Sequence, residues 1–461
     1  MPVAETVEEL APQRWFRAYP EYQDSGVEWL GELPVHWRAD RLKWTVTMCR
    51  NGIWGDEPDG VDDLVCVRVA DFDRTRFVVR LEKPTLRAVT VSQRHGRLLG
   101  EGDLLLEKSG GGDLQPVGVV ILFDQSLEAV CSNFVARMPV ATGFDGRFLA
   151  YFHAHLYSGR VNTRSIKQTT GIQNLDSHSY LNEHVPYIPL DEQRAIAAFL
   201  DRETTRIDEL VTKKQRLIEL LAEKRNALIS HVVTKGLNPD APMKDSGIEW
   251  IGQVPRPWAV APLYARYWLE LGKMLDSKQI TGEHLVPYLR NIDVQWDRVN
   301  VEDLPEMDIA PHEYHRFILS EGDLLVCEGG EVGRSAMWEG GLPRCGYQKA
   351  LHRLRPRSTN DFPRFLHYAL RHAASAGIFI AQGNPNTIPH LTGEQLRVYR
   401  FAFPPVDEQA RICTYLDENV GRLDILCNRI THVTERLREY RSALISAAVT
   451  GKIDVRGEDR Q

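Results

Sequence analysis

The chain has 461 residues, a formal net charge of −7, 43% hydrophobic and 26% charged residues. This composition is typical of a folded protein and excludes a largely disordered chain, while the acidic balance argues against a protein that coats nucleic acid with its whole surface. The seven cysteines form no Cys-x-x-Cys pair and no Cys/His spacing suited to zinc, so we expect neither a disulfide framework nor a metal site.

The chain begins with an acidic extension, residues 1–18, which lacks the apolar segment of a signal peptide. The longest apolar run, residues 117–123, is far shorter than the ~20 residues of a membrane span. We therefore expect a cytoplasmic protein.

A first domain is predicted over residues 19–188, with the block Asp-Ser-Gly-x-Glu-Trp-x-Gly at residues 24–31 near its start. β-Branched or leucine-rich runs such as 65–69 and 103–106 predict strands, and residues 148–156 predict a helix. The domain is therefore expected to be mixed α/β.

The first domain contains a stretch without acidic residues, from Tyr151 to Leu175. Arginine and lysine suit phosphates and guanine edges, and amides suit the adenine edge, so this stretch is a candidate DNA contact. A solvated loop is the alternative for any single residue. A glycine turn at residues 108–112, after the strand predicted at 103–106, adds two further candidates. The candidates of the first domain are Lys108 and Ser109 from this turn, and Arg160, Arg164, Lys167, Gln168, Thr169, Thr170 and Gln173 from the acid-free stretch.

A long helix is predicted over residues 189–236. Asp191 and Glu192 suit the positive end of a helix, and Lys235 followed by Gly236 suits its termination. Apolar residues recur with a spacing typical of a coiled-coil seam, and the helix would be about 60 Å long. Its predicted seam residues are Leu200, Ile207, Leu210, Leu217, Leu221 and Leu228.

The same order then repeats. The block returns at residues 245–252, 221 residues after its first copy, and a second domain is predicted over residues 237–404. Its acid-free stretch runs from Arg364 to His390. Its candidate DNA contacts are Arg290, Asn291, Arg334, Gln382, Asn384, Asn386, Thr387 and His390.

A second long helix is predicted over residues 405–450, followed by a tail, 451–461. Asp407-Glu408-Gln409 repeats Asp191-Glu192-Gln193 at an offset of 216 residues. Its seam residues are Leu416, Leu423, Leu426, Ile430, Val433, Leu437 and Leu444.

Each helix could simply pack on its own domain, but a narrow seam ~40 residues long favours pairing between the helices. The fold class predicted is α+β: two tandem mixed α/β domains separated by two long helices, which form an antiparallel coiled coil with pseudo-twofold symmetry. Such an arrangement suits two DNA half-sites separated by a gap.

Motifs for catalysis are missing. Lys108 to Gly112 has phosphate-loop residues in the wrong order, and Asn384-Pro385-Asn386 lacks the aromatic residue of amino-methyltransferases. Glu107-Lys108 lacks the spacer of a nuclease Glu-x-Lys. The sequence therefore predicts no catalytic residue. The alternatives are a stand-alone DNA methyltransferase or nuclease, and a coiled-coil scaffold without a role in DNA binding.

Together these blocks resemble the DNA-specificity subunit of type I restriction-modification systems (HsdS family). The resemblance rests on both Asp-Ser-Gly-x-Glu-Trp-x-Gly blocks, the Gly-Asp-Leu-Leu strands, the loops ending at Leu175 and Leu391, and both Asp-Glu-Gln helices. It implies a non-catalytic subunit with two target-recognition domains, each recognising half of a bipartite DNA site. The helices would set the spacing and dock two modification (methyltransferase) subunits. S-adenosylmethionine would be bound by those partners, and ATP and magnesium by further restriction (motor-nuclease) subunits. The extension before Tyr19 departs from the family pattern.

Overall fold

The computed structural model describes residues 16–112, 114–275, 282–380 and 390–457. They divide into two units. Unit 1 contains the chain up to Lys213 together with the chain from Val433 onward, and unit 2 contains Lys214 to His432. Among the residues described, no helix is both long and apolar enough to cross a membrane.

Unit 1 combines short strands with helices. The elements up to the first long helix are β1 Tyr22–Asp24, β2 Glu32–Pro34, β3 Arg38–Arg41, β4 Arg50–Asn51, β5 Asp63–Val67, β6 Phe72–Asp73, β7 Val78–Val79, β8 Leu86–Ala88, α1 Val91–Arg94, β9 Leu104–Glu107, β10 Ser109–Gly110, β11 Val120–Leu122, β12 Ala129–Cys131, β13 Val135–Met138, α2 Gly146–Ser158, β14 Ile166–Thr170, β15 Ile172–Leu175, α3 Ser177–Leu181, β16 His184–Tyr187 and α4 Leu190–Lys235. Short 3-10 helices span Leu42–Thr45, Val69–Asp71 and Val161–Ser165.

The central sheet of unit 1 has the strand order β4-β13-β9-β11-β7-β6. Strand β9 is buried on both faces: Leu104 and Leu106 join the core that contains Phe148 and Phe152 of α2, while Leu105 joins a second core. A strand covered on both faces needs apolar residues at consecutive positions. This explains the run of three leucines.

Unit 2 repeats the plan. Its elements after α4 are β17 Met243–Asp245, β18 Gln253–Pro255, β19 Ala259–Pro262, α5 Leu263–Arg266, β20 Tyr267–Leu271, β21 Leu285–Leu289, β22 Val294–Gln295, β23 Arg298–Val299, β24 Glu306–Asp308, α6 Tyr314–Phe317, β25 Leu324–Cys327, β26 Ser335–Met337, β27 Gly346–Tyr347, β28 Leu351–Pro356, α7 Pro363–Ser375, α8 Gly393–Val398, β29 Arg400–Phe403 and α9 Val406–Val449. Short 3-10 helices span Asn291–Asp293 and Pro311–Glu313. Its main sheet has the order β20-β28-β25-β26. The predicted α+β class, with two long helices, is confirmed.

Each unit contains the start of one long helix and the end of the other. In unit 1, Asp208 of α4 pairs with Arg441 of α9 at 2.9 Å, and Glu192 lies 3.8 Å from Arg456. The residue numbers rise along one helix as they fall along the other, so the two segments run antiparallel within this unit.

Unit 2 has the equivalent contacts. Arg225 pairs with Asp424 at 2.7 Å, and a Cβ at Gly236 would lie 3.0 Å from Oε1 of Glu408. Apolar residues of both helix segments share the core of this unit. Because Asp208 and Asp424, and Arg225 and Arg441, are each separated by the repeat offset of 216 residues, the same ion pair forms in both units.

A tryptophan six residues after each Asp-Ser-Gly-x-Glu-Trp-x-Gly block contacts an Asp-Glu-Gln block inside each unit. In unit 1, the indole of Trp37 donates to Glu192 at 3.2 Å, and its ring lies against Gly451 just after α9. In unit 2, Trp258 donates to Glu408 at 3.1 Å and lies against Gly236 just after α4. Each tryptophan therefore joins the start of one long helix to the end of the other.

The glutamine of each Asp-Glu-Gln block bonds to the segment just before its own long helix and to the N-cap residue of an earlier helix. Gln193 donates to the carbonyl oxygen of Ile188 at 2.8 Å and accepts from the amide of Asp145, the N-cap of α2, at 2.9 Å. Gln409 makes the same contacts to Pro404 and Phe362. Both side chains are buried, so the blocks have a structural role.

The buried stripe of the long helices differs from the seam predicted. Leu200, Ile207, Leu221, Leu416, Ile430 and Leu444 are buried, and Leu228, Leu423 and Leu437 are half-buried. Leu210, Leu426 and Val433 lie three residues after members of that row, and Leu217 lies three residues after Lys214, which has the same heptad position; all four are 39–43% exposed. The second buried row instead lies four residues after the first, at Thr204, Val232, Val420, Thr434 and Ala448.

Both neighbours of the helices contact this second row. The hydroxyl of Thr204 lies 3.1 Å from that of Tyr151 in α2, whereas Arg441, four residues after Leu437, pairs with Asp208 of α4. An a/d seam alternates steps of three and four residues, so a second row three or four residues after the first is equally compatible with helix pairing. The sequence repeat therefore predicts the centre of the stripe but not the flank that is buried.

Two buried histidines should make the fold sensitive to acid. His153 bonds to Tyr180 through Nδ1 at 2.7 Å, and His367 bonds to Ser335 at 3.1 Å. Burial lowers the pKa of each to about 3, against about 6.5 in an unfolded chain. Below pH ~6.5 the unfolded state therefore binds protons that the folded state does not, and stability should fall as the pH drops toward 3.

Thermal unfolding from pH 7.5 to pH 4.5 checks this expectation. Replacing His153 or His367 with glutamine should reduce the loss of melting temperature across that range, whatever the variant's stability at pH 7.5. An unchanged loss in both variants would assign the acid sensitivity to other groups.

Candidate nucleic-acid interface

The acid-free stretch of unit 1 folds into a small antiparallel sheet. Strands β14 and β15 form a hairpin around Gly171, whose φ of 71° suits glycine, and β15 also pairs with β10. We call these three strands the hairpin sheet. A two-stranded β-ribbon fits the major groove of B-DNA, and the hairpin has two strands beyond Gly110, where β10 ends.

The register of the hairpin sheet aligns three polar residues. Asn174 lies between Ser109 on β10 and Lys167 on β14, and cross-strand neighbours project from the same face. The hydroxyl of Ser109 donates to Oδ1 of Asn174 at 2.6 Å. We call Ser109, Asn174 and Lys167 the polar row.

One acidic side chain flanks the polar row. Lys167 is 71% exposed, and its ammonium donates to Asp176 at 2.6 Å. This hydrogen bond is the main reason why the pKa of Asp176 falls to about 2, so the carboxylate stays charged. Because the pair is exposed, it is weak, and Lys167 can exchange Asp176 for a phosphate.

Further basic residues surround the hairpin sheet. Lys108 donates to Oδ1 of Asn51 at 3.0 Å, while Arg160 and Arg164 are exposed and form no ion pair within the described ranges. Gln168 is exposed on β14. The side chains of Thr169 and Thr170 lie outside the described part of the chain.

Side chains alternate between the two faces of β15, so its two side-chain amides, Gln173 and Asn174, lie on opposite faces. Gln173 is buried, and its Oε1 accepts from the amide of Val117 at 3.3 Å, while Asn174 faces outward. Gln173 was a sequence-based candidate and Asn174 was not. The inward position of Leu175, two residues from Gln173, is the signal that distinguishes them, because alternate residues share a face.

The corresponding loop of unit 2 ends at an equivalent place. The amide of Leu391 donates to the carbonyl oxygen of Glu328 at 2.7 Å, as that of Leu175 donates to Lys108 at 2.8 Å. His390 is exposed, and a Cβ added to Gly329 would lie 3.2 Å from its ring. The other candidates in this loop, Gln382, Asn384, Asn386 and Thr387, lie outside the described residues.

The remaining candidates of unit 2 bond to neighbouring protein groups, and one of them bonds to its glycine turn. Arg290 bonds to both oxygens of Asp293 at 2.8 Å. Asn291 donates to the carbonyl oxygen of Gly329 at 3.0 Å and accepts from Arg334 at 2.9 Å. Arg290 is partly exposed, but Arg334 is largely buried, and the three side chains already have protein partners.

Metal-binding clusters and buried carboxylates are the remaining features of interest in the described part of the chain. Within the described ranges, no three His, Cys, Asp or Glu side chains are arranged to hold a metal ion. Glu107 is buried at the end of β9, where burial raises its pKa, but Arg74 occupies both of its oxygens at 3.1 Å. The carboxylate of Glu107 therefore already has a protein partner.

This chain is similar to DNA specificity proteins of type I restriction-modification systems. Residues 272–435 match the family model of the type I restriction modification DNA specificity domain. The EcoKI specificity subunit of Escherichia coli strain K12 is 21% identical over 341 residues, which cover 72% of this chain and 70% of that protein. The MjaVIII specificity subunit of Methanocaldococcus jannaschii is 23% identical over 301 residues, which cover 64% of this chain and 67% of that protein.

Solved structures share the fold. A chain from a type I restriction-modification system studied for its assembly has a TM-score of 0.71 at 18% identity, covering 90% of this chain and 98% of its own. The HsdS subunit of Thermoanaerobacter tengcongensis has a TM-score of 0.53 at 18% identity, and the match covers 91% of this chain and 98% of that subunit.

Proposed function

From the premise that this chain carries a type I restriction-modification DNA specificity domain and resembles specificity subunits along most of its length, we propose that it is the DNA-recognition subunit of such a system. It binds double-stranded DNA in the cytoplasm, each unit recognises one half of a bipartite site, and the helices set the spacing in a pseudo-twofold arrangement. The chain itself is non-catalytic.

The partners supply the chemistry. Two modification subunits dock on the long helices and carry S-adenosylmethionine, and restriction subunits carry ATP and magnesium. The apolar residues exposed on the helices support docking there: Leu210, Leu217, Leu426 and Val433 repeat along both helices at 39–43% exposure. Exposed apolar residues in a regular series are typical of a surface that a partner covers.

The hairpin sheet of unit 1 is the observation that carries the proposal. A β-ribbon matches the width of the major groove. Its outer face presents the hydroxyl, amide and ammonium of the polar row, with Arg160 and Arg164 nearby and Asp176 as its acidic neighbour. Direct recognition of bases and phosphates requires these groups.

Mapping methylated adenines tests the function. The chain is expressed with its modification partner, and methylated positions are located by sequencing. We expect one bipartite sequence with an unspecified gap. The isolated chain, incubated with plasmid, magnesium and labelled methyl donor, should neither methylate nor cut. Methylation at a continuous site, or activity of the isolated chain, would contradict the proposal.

Two basic residues at the hairpin sheet should contribute to phosphate binding. Replacing both Arg164 and Lys167 with alanine should weaken DNA binding by the assembled complex. The plot of log affinity against log salt should become less steep by about 1.8, since each phosphate contact contributes ~0.9 to the magnitude of its slope. Competition binding at several salt concentrations measures both effects.

Arg80 and Lys83 provide the matched control. Both are exposed in unit 1, outside the hairpin sheet, so their double alanine variant removes the same charge. It should retain the wild-type salt slope. Equal losses in the two variants would indicate a general charge effect and remove the hairpin sheet from the interface.

A further inference from the structure

Two exposed aliphatic side chains belong to the hairpin sheet and to the loop that follows β10. Ile172 is 54% exposed and Leu114 is 91% exposed. Strand β10 runs antiparallel to β15, so the chain leaves Gly110 toward the end of the sheet at which Gly171 forms the hairpin turn. Leu114 follows in the loop that begins there.

The loop that contains Leu114 is bonded to the domain on its far side. The amide of Gly112 donates to the carbonyl oxygen of Gln115 within the loop at 3.0 Å, and the hydroxyl of Tyr157 in α2 donates to the carbonyl oxygen of Pro116 at 2.9 Å. Isolated exposed aliphatic residues are common, but the loop of Leu114 begins at the end of the sheet where Ile172 lies.

Ile172 continues the outer face of the polar row. It lies two residues from Asn174, and both face outward while Gln173 and Leu175 face inward. At ~3.4 Å per residue in a strand, Ile172 lies about 6.8 Å beyond Asn174. This distance equals about two base-pair steps of ~3.4 Å.

We propose that Ile172, assisted by Leu114, recognises thymine methyl groups in the half-site bound by unit 1, beside a base pair contacted by Asn174. The inference rests on the proposed function and names the chemistry of one recognition surface. The C5 methyl of thymine is the apolar group that base edges offer in the major groove. Lys167, Arg160 and Arg164 around the hairpin favour an anionic partner over an apolar protein surface.

Deoxyuridine lacks only that methyl group and therefore tests the proposal. Duplexes carrying the mapped site are prepared with single thymine-to-deoxyuridine substitutions throughout both halves. Their affinities are measured by competition with the full chain assembled with its modification partner. For wild type, at least one substitution in one half-site should weaken binding about 4-fold, the factor for one buried methyl group.

Alanine at position 172 should cancel that discrimination. Ile172→Ala should bind the thymine duplex about 4-fold more weakly than wild type and show no further loss on the sensitive deoxyuridine duplex, which is the signature of direct coupling. Ile172→Val keeps the branched side chain and should retain most discrimination. Leu114→Ala should reduce it, and substitutions in the other half-site should affect wild type and variants equally.

Two results would overturn the inference: no deoxyuridine substitution weakens wild-type binding, or Ile172→Ala weakens thymine and deoxyuridine duplexes by the same factor. Failure of the proposed function has another signature. In that case wild type itself would not distinguish the mapped duplex from one with a scrambled sequence.

Discussion

Replacing Trp258 with alanine is expected to lower the free energy of unfolding of unit 2 by about 3–5 kcal/mol, the usual cost of deleting a buried aromatic side chain. The indole is fully buried among apolar residues of both long helices. It packs edge-on against Phe365 and lies against Gly236. The variant would contain a cavity where α4 ends and α9 begins.

The loss of the indole also removes a hydrogen bond. Nε1 of Trp258 donates to Glu408 at 3.1 Å, and a partly buried carboxylate left without its donor adds to the cost. Hydrogen–deuterium exchange should therefore rise in β18, in α7 and at the start of α9. Thermal unfolding should begin at a lower temperature, and recognition of one half-site should be lost.

Trp44 and Trp37 provide the controls. Trp44 is 57% exposed, so its alanine variant should change stability by less than about 0.5 kcal/mol. Trp37 has the equivalent buried position in unit 1, and its alanine variant should raise exchange in that unit instead. A loss for Trp44→Ala as large as that for Trp258→Ala would contradict the assigned role.

The second large effect is expected along α9. Leu416 is fully buried, so Leu416→Asp should cost more than about 4 kcal/mol, because it removes a leucine from the core and buries a carboxylate that the surrounding apolar residues cannot pair. Leu426, 43% exposed on the same helix, provides the matched variant. Leu426→Asp should change stability by less than about 0.5 kcal/mol.

The two variants should also separate folding from assembly. Leu426→Asp should stay folded in thermal unfolding and yet lose the modification subunit in a pull-down, because its leucine belongs to the proposed docking surface. If Leu426→Asp unfolds the chain as Leu416→Asp does, the leucine is part of the core in solution. If neither variant loses stability, α9 does not pack as described.

Much of the fold could be predicted because its signals are local. A seven-residue repeat that begins after Asp-Glu predicts a long helix, and α9 spans Val406–Val449. The leucines after Asp103 predict a buried strand, and β9 spans Leu104–Glu107. The duplication indicated two similar units, and the resemblance to type I specificity subunits is confirmed.

The side of the helix that is buried could not be predicted. A repeat of Leu416, Leu423 and Ile430 defines the centre of the stripe, but the element covering its flank decides whether residues three or four positions later are buried. That element is distant in sequence, as is the contact between Tyr22 and Gly451, which are 429 residues apart. Periodicity carries no information on such pairs.

The candidate site was only partly predictable for a related reason. Composition singled out the stretch from Tyr151 to Leu175, and the structure folds its end into the hairpin sheet. Within it, Gln173 and Asn174 have the same chemistry, and only the register of β15 distinguishes the buried amide from the exposed one. Arg290 bonds to Asp293, and Arg334 bonds to Asn291, which lies 43 residues earlier in the chain. The sequence around each arginine does not reveal such partners.

The composition of unit 1 from both ends of the chain fixes the order in which a growing polypeptide can finish folding. Leu444, Ile445, Ala448 and Val455 belong to the same core as Leu33 and Trp37. The ribosome releases them after every residue of unit 2, which is complete once His432 emerges. Unit 2 can thus finish folding before unit 1, whose core waits, with apolar surface open, until Val455 has emerged.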